Sequence, residues 1–209
     1  MIAGLVLYWL ASIPDVRVVV TSQGYRQLEM MQTHLRRMQP NFELGSYRNP
    51  EGEVICHNGN VCKYFATENE GAVESQHAKF LIRVLEEVKS MKDSIVSATE
   101  TWNPQLSVYV SSAGLRQGAF YRCFAEEMHL WHRVEADASQ CSAISSGRID
   151  DMLARYGEKS PKFQSQILNN FSSEDLNAGI TVEILEWLIK HPPPKEHQGI
   201  KVAGFDPSA

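Results

Sequence analysis

The chain has 209 residues, enough for one well-formed core and a small appendage. Its 43% hydrophobic and 22% charged content is that of an ordinary globular protein. A formal net charge of −5 excludes non-specific coating of nucleic acid by the chain as a whole, while leaving room for a local basic patch. The four cysteines, Cys56, Cys62, Cys123 and Cys141, form no Cys-x-x-Cys pair. Cys56 and Cys62 flank His57 as a zinc half-site would, but reduced cytosolic thiols are the simpler assignment.

The first ten residues are apolar, yet they carry no basic leader and no small-residue cleavage site before Pro14. The run is too short to span a bilayer, so residues 3–11 are predicted to form a buried helix that stops at Ser12-Ile13-Pro14-Asp15. The β-branched run 17–22 is predicted to be a strand. Residues 25–38 read as a helix with Leu28, Met31, Leu35 and Met38 on one face and Arg36-Arg37 on the solvated side. Residues 53–56 and 61–67 read as a hairpin around Asn58-Gly59, which supply positive φ angles. A polar connection over 68–78 follows.

Two short apolar runs then end in chemistry-bearing groups. Phe80-Leu81-Ile82-Arg83-Val84-Leu85 runs into Glu86-Glu87, and Leu106-Ser107-Val108-Tyr109-Val110 runs into Ser111-Ser112-Ala113-Gly114. Carboxylates at the carboxyl end of a parallel strand can hold Mg²⁺ and orient a water, and adjacent hydroxyls can sense a phosphate. The plain alternative is two ordinary strands with polar ends.

Further along, 91–101 and 118–128 are predicted helical, the latter with Phe120, Cys123 and Phe124 inward. The alternation over 130–138 suits a strand, with His129 and His132 a half-exposed pair rather than metal ligands. Residues 146–156 and 161–171 read as helices, the second capped by Ser160 with Pro161 at its first position. A last amphipathic helix, 182–190, carries Ile184, Leu185, Leu188 and Ile189, and it ends at the His191-Pro192-Pro193-Pro194 linker. Trp9, Trp102, Trp131 and Trp187 are expected in packing roles. Strands alternating with helices through Phe171 predict an α/β fold with a mostly parallel sheet flanked by helices.

In order, these segments resemble the large subunit of a tailed-phage terminase, the ATP-driven DNA-packaging motor. Ala3-Gly4-Leu5-Val6-Leu7-Tyr8-Trp9-Leu10 with Arg17-Val18-Val19-Val20-Thr21-Ser22 resembles the helix after the phosphate loop and the next strand. Tyr64 to Ala72, with Gln76-His77-Ala78-Lys79, is similar to the approach to the Walker B strand. Glu86-Glu87-Val88-Lys89-Ser90 stands where the family usually has Asp-Glu-Ala-Lys-Ser. Tyr109-Val110-Ser111-Ser112-Ala113-Gly114 resembles the coupling motif. Gly118 to Phe124 and Arg155 to Pro161 continue the pattern. Val202-Ala203-Gly204-Phe205-Asp206-Pro207 resembles the opening strand of the RNase-H-like nuclease domain.

The resemblance implies a P-loop-NTPase-like fold of the ASCE type, with a truncated ATPase core over 1–140, a helical subdomain over 141–191, and a linker with the first nuclease strand over 192–209. By the same resemblance Glu87 is the catalytic residue that polarises the attacking water, and Glu86 takes the metal-binding place of the Walker B aspartate. Ser111 and Ser112 couple hydrolysis to DNA movement, and Asp206 is the first metal carboxylate of a nuclease site. The implied cofactors are ATP and Mg²⁺. The implied partners are double-stranded DNA, portal protein and small terminase subunit, in a ring on the portal within the host cytoplasm.

The departures are as specific. No Gly-x-x-x-x-Gly-Lys-Ser/Thr occurs, so the chain alone is expected to be inactive as an ATPase, like a motor gene or prophage remnant with both ends removed. The strand before that loop is missing from the pattern, which should leave a neighbouring strand with unpaired main-chain groups. Glu86 is one methylene longer than aspartate. Arg83 sits mid-strand where an apolar residue is usual, and it is expected to face solvent at an open sheet edge. Two other readings stand beside this one: an ATPase-dead module that docks DNA, portal or small terminase, and an unrelated α/β domain whose Glu87 and Ser111 lie apart.

Overall fold

The computed structural model describes residues 2–42, 44, 46–48, 53–68, 71, 73, 75–141, 144–172, 186–187 and 189–191. The chain divides into two units, Met1–Leu176 and Asn177–Ala209. The first unit is built on a six-stranded sheet of order β2-β3-β4-β1-β5-β6. Its strands are β1 (Val16–Ser22), β2 (Ser46–Arg48), β3 (Val54–Cys56), β4 (Val61–Ala66), β5 (Phe80–Glu86) and β6 (Leu106–Val110). β4, β1, β5 and β6 run parallel, whereas β2 and β3 attach by antiparallel pairing. β2 had no strand signal in the sequence.

Helices α1 (Ile2–Ser12) and α2 (Tyr25–Met38) cover one face, where Val6, Leu10, Val18, Val20, Leu28, Ile82 and Val84 form the main core. β1 and β5 are buried on both faces, as central parallel strands are when helices cover each side. On the other face, α3 (Asp93–Glu100) and α4 (Gly118–Phe124) enclose Leu85, Val88, Ile95, Val96 and Phe120. Trp102 packs there with Val19 and Leu81, its ring 5.9 Å from Phe65. α5 (Ser146–Tyr156) and α6 (Pro161–Gln166) close a smaller core around Ala138, Phe163 and Ile167. As the sequence indicates, Ser160 caps α6, its hydroxyl accepting from the Phe163 amide at 3.1 Å.

Several expectations are corrected. Residues 131–137 form no strand: a 3-10 turn at Met128–Leu130 leads into irregular chain, with Leu130 69% and Val134 74% exposed. Alternation alone does not make a strand; a neighbour must complete the ladder, and here Trp131 instead packs on Tyr109, the ring centres 4.4 Å apart. His129 and His132 are therefore not a strand pair. In the hairpin only Gly59 takes a positive φ (+86°); Asn58 does not, since a three-residue loop needs one left-handed position. In the second unit, Trp187 and Ile189 lie on helical residues but are 57% and 78% exposed, so neither is packed in a core.

Arg83 overturns its expectation most clearly. It is 4% exposed, in β5 inside the sheet, and donates to Ser107 Oγ (3.2 Å), Thr99 Oγ1 (2.9 Å) and Tyr109 Oη (3.1 Å). The guanidinium also lies 5.3 Å from the Tyr109 ring centre. Three hydroxyls and an aromatic face replace the carboxylate that a buried arginine ordinarily needs. The open edge belongs to β6, which pairs only with β5 among the described residues.

Candidate functional site

In a parallel sheet the carboxyl ends of all strands share one rim, and the loops leaving it gather side chains from distant sequence. The register pairs Ser22 with Glu86 across β1–β5, and Glu86 with Val110 across β5–β6. Glu87 and Ser111 are the next residues of two adjoining strands, so the acidic and hydroxyl tips leave the sheet side by side. The reading that required them to lie apart loses its geometry.

Glu87 takes a left-handed backbone conformation (φ 55°, ψ 45°), uncommon for a side chain of this kind and a form of local strain found at functional turns. That conformation ends β5 abruptly and starts a 3-10 turn, Val88–Ser90, with Val88 buried beneath it. The turn swings Lys89 back over the rim. Lys89 Nζ lies 3.7 Å from Glu87 Oε2 and donates to Ser112 Oγ, so it bridges the acid on β5 to the hydroxyl after β6. The Lys89 amide meets Ser111 Oγ at a long 3.4 Å. Gly114 packs closely under this bridge: a Cβ there would approach the Lys89 stem to 3.2 Å.

Glu86 points to the α1/α2 face beside Ser22. Burial, and next the neighbouring Glu87 carboxylate, raises its pKa above the ordinary 4.5. Ser22 Oγ is buried without a hydrogen-bond partner. A half-buried carboxylate beside an orphaned hydroxyl is a donor set that suits a hard cation such as Mg²⁺. Among the described residues no group of three acidic, histidine or cysteine side chains is placed to hold a metal, so Glu86 and Ser22 would supply only part of a coordination shell. The triphosphate fits less well, because the sequence lacks the glycine-rich loop whose amides would cradle it.

A supporting layer holds the rim. Asp93, in the first turn of α3, accepts from the Ala119 amide at 2.9 Å and from Arg122 Nη1 at 2.6 Å, tying α4 to α3. Arg122 also lies 3.5 Å from Glu127 Oε1. The chain after Ser112 is clamped from the α6 region: Ser165 donates to the Ala113 carbonyl at 2.5 Å, and Asn169 Oδ1 accepts from the Ala113 amide at 2.8 Å. Sequence reasoning gave no role to Lys89, Asp93 or Arg122; only the Glu-Glu-Val-Lys-Ser string marked Lys89. Asp206 lies outside the described residues. Cys56 and Cys62 are buried in the hairpin and His57 is exposed, so these three do not converge as a zinc half-site.

A mixed, mostly parallel sheet between helical layers is the fold found in the ATPase domain of large terminases. Solved structures carry the comparison. The large terminase of a thermophilic bacteriophage, in complex with ADP, matches with a TM-score of 0.64 at 13% identity, over 80% of this chain and 43% of that one. The large terminase of bacteriophage HK97 gives 0.59 at 14% identity, over 81% and 43%. The ATPase domain of the Thermus phage P74-26 large terminase, in a mutant form, gives 0.55 at 8% identity, over 82% and 83%. The fold is shared, and this chain spans less than half the length of the first two of these terminases. No protein-family model and no curated protein matches the sequence.

Proposed function

We propose that this chain is the sheet-and-rim portion of a phage or prophage DNA-packaging ATPase, in which Glu87 polarises water and Glu86 helps hold Mg²⁺. Ser111 and Ser112 report the phosphate state to the chain that follows β6. The observation that supports this most directly is the Lys89 bridge, which couples Glu87 to Ser112 across two strand ends. A lysine held between the water-activating acid and the coupling hydroxyl changes partners when an anionic phosphate arrives, and so carries a local charge change into the segment clamped by Ser165 and Asn169. The division into residues 1–140, 141–191 and 192–209, and the nuclease role of Asp206, belong to the same proposal. So do the partners (duplex DNA, portal and small terminase) and the host cytoplasm as the place of action.

The test is nucleotide binding followed by fluorescence of an ATP analogue with Mg²⁺. The chain alone should show no saturable binding. Fusion of a strand and phosphate-binding loop ahead of Met1 should create it. In that fusion Glu87→Gln should keep binding while lowering hydrolysis by roughly 100-fold or more. Absence of any binding gain in the fusion overturns the proposal. Duplex DNA titrated at two salt concentrations separates a docking role, since phosphate contacts must weaken as salt rises.

A further inference from the structure

Between α1, α2 and the β3–β4 hairpin lies a cavity of about 120 Å³, walled by Leu7, Leu10, Leu35, Val54, Cys62 and Gln32. Cys62 is the second residue of β4, towards the end of the sheet opposite the acidic rim, so this space is separate from the site above. Its walls are mostly apolar, with Gln39, Tyr64 and the exposed Arg36 also lining it. Gln32 is buried on the inner side of α2 at 7% exposure, and its Nε2 has no hydrogen-bond partner. Two other polar groups of the wall are engaged: the Tyr64 hydroxyl bonds the Cys62 thiol, and Gln39 Nε2 donates to the Leu44 carbonyl at 2.6 Å.

An unsatisfied buried amide costs about 1–3 kcal/mol, and each such group calls for an explanation. Water is a poor one here. A buried water needs two to four polar partners, and apart from the exposed Arg36 this wall offers one free donor, Gln32 Nε2, among aliphatic groups and thiols. Apolar cavities of this order stay dry and take up small hydrocarbons; about 150 Å³ admits benzene. The space therefore suits roughly six non-hydrogen atoms, with a single hydrogen-bond acceptor directed at Gln32.

We propose that this cavity is a binding site for a small, mostly apolar molecule carrying one hydrogen-bond acceptor, which accepts from Gln32 Nε2. Pyridine and benzene are matched probes, since they share a shape and differ by one acceptor nitrogen. Binding of each to the full chain, titrated at pH 8, is read from backbone amide shifts of α2 and the hairpin. Both should saturate and shift resonances around Leu35 and Cys62. In Gln32→Met, which keeps helix propensity and side-chain length, the pyridine affinity should fall about fivefold while benzene is held as well or better. A net hydrogen bond of about 1 kcal/mol corresponds to that ratio. Val54→Phe, which fills the space from the opposite wall, should abolish both and serves if Gln32→Met fails to fold. Probes that bind nowhere, shifts mapped elsewhere, or an unchanged pyridine-to-benzene ratio in Gln32→Met would each overturn the proposal. So would an ordered water found on Gln32 Nε2 in a crystal of the free chain.

Discussion

Glu86 and Arg83 sit in the same strand, on opposite faces of it, and they show two ways of treating a charge removed from water. Arg83 has its charge dispersed over Ser107, Thr99 and Tyr109, while Tyr109 is itself held protonated, burial pushing its phenol up to about 12 with Arg83 opposing. Among the described residues no such ring of donors surrounds Glu86, and burial, then the Glu87 carboxylate, raise its pKa. Its proton is bound more tightly in the folded chain than in the unfolded one, so stability must fall as pH rises from the ordinary value of 4.5 through the raised folded value, and then level off. Glu86→Gln removes the ionisation. Urea unfolding should find that variant more stable than the parent at pH 8, with the difference closing as the pH drops to 4.5. A difference that is constant with pH would mean that the Glu86 carboxylate is ordinarily solvated.

At the scale of elements, the joint between α1, β1 and the β3–β4 hairpin rests chiefly on Asn60, with Asn58 Nδ2 adding a second bond to the Leu10 carbonyl at 2.8 Å. Asn60, 2% exposed, donates to the carbonyls of Leu10 (2.8 Å) and Ile13 (2.8 Å) and accepts from the Val16 amide at 2.9 Å. It thus satisfies the end of α1, the turn after it and the start of β1 from a residue more than forty positions away. Asn60→Ala should cost about 2 kcal/mol, since the Val16 amide and the Ile13 carbonyl lose this partner while the Leu10 carbonyl keeps Asn58 Nδ2 at 2.8 Å. A loss under about 1 kcal/mol in urea would mean that water substitutes freely at the joint. Asn60 also shows what the sequence leaves unsaid. The hairpin was legible because Gly59 and two alternating runs are local signals, and α2 because its apolar residues keep a 3.6-residue spacing. The acid and hydroxyl tips were legible for the same reason, each closing a short apolar run. Arg83 misled because its burial is decided by hydroxyls 16 to 26 residues distant. The run 130–138 misled because its alternation resembles a strand that no neighbour completes. Asn60, Gln32 and Lys89 acquire meaning only from residues that the fold brings to them.

For the molecule as a whole, the unusual feature is a parallel sheet that ends, among the described residues, in a strand paired on one side. Parallel strands normally lie inside a sheet with neighbours on both sides. β6 instead is only half-buried along Ser107–Val110 and pairs on one side among the described residues. Its register shows which main-chain groups face outward. Leu81 turns both main-chain groups toward β6, its amide donating to Gln105 Oε1 at 2.6 Å and its carbonyl accepting from the Gln105 amide at 3.0 Å, so Arg83 and Leu85 face β6 as well. With Arg83 opposite Ser107 and Leu85 opposite Tyr109, parallel bonding joins them to Leu106, Val108 and Val110, and Ser107 and Tyr109 turn their N–H and C=O groups to the open side. This alternation separates two substitutions that a generic view of strands would treat alike. Proline removes an N–H and fixes φ, which an edge tolerates only where the lost donor points away from the ladder. Val108→Pro should therefore lose about 3 kcal/mol or more, whereas Ser107→Pro should lose no more than about 1 kcal/mol beyond Ser107→Ala, the control for the lost Arg83 contact. Hydrogen exchange should agree, with the Ser107 and Tyr109 amides fast and those of Leu106, Val108 and Val110 slow. In the fusion carrying an added strand, the two fast amides should become protected, and Ser107→Pro should then become as damaging as Val108→Pro. If Ser107 is already protected in the chain alone, the edge is closed in solution, and no added strand is needed to complete the sheet.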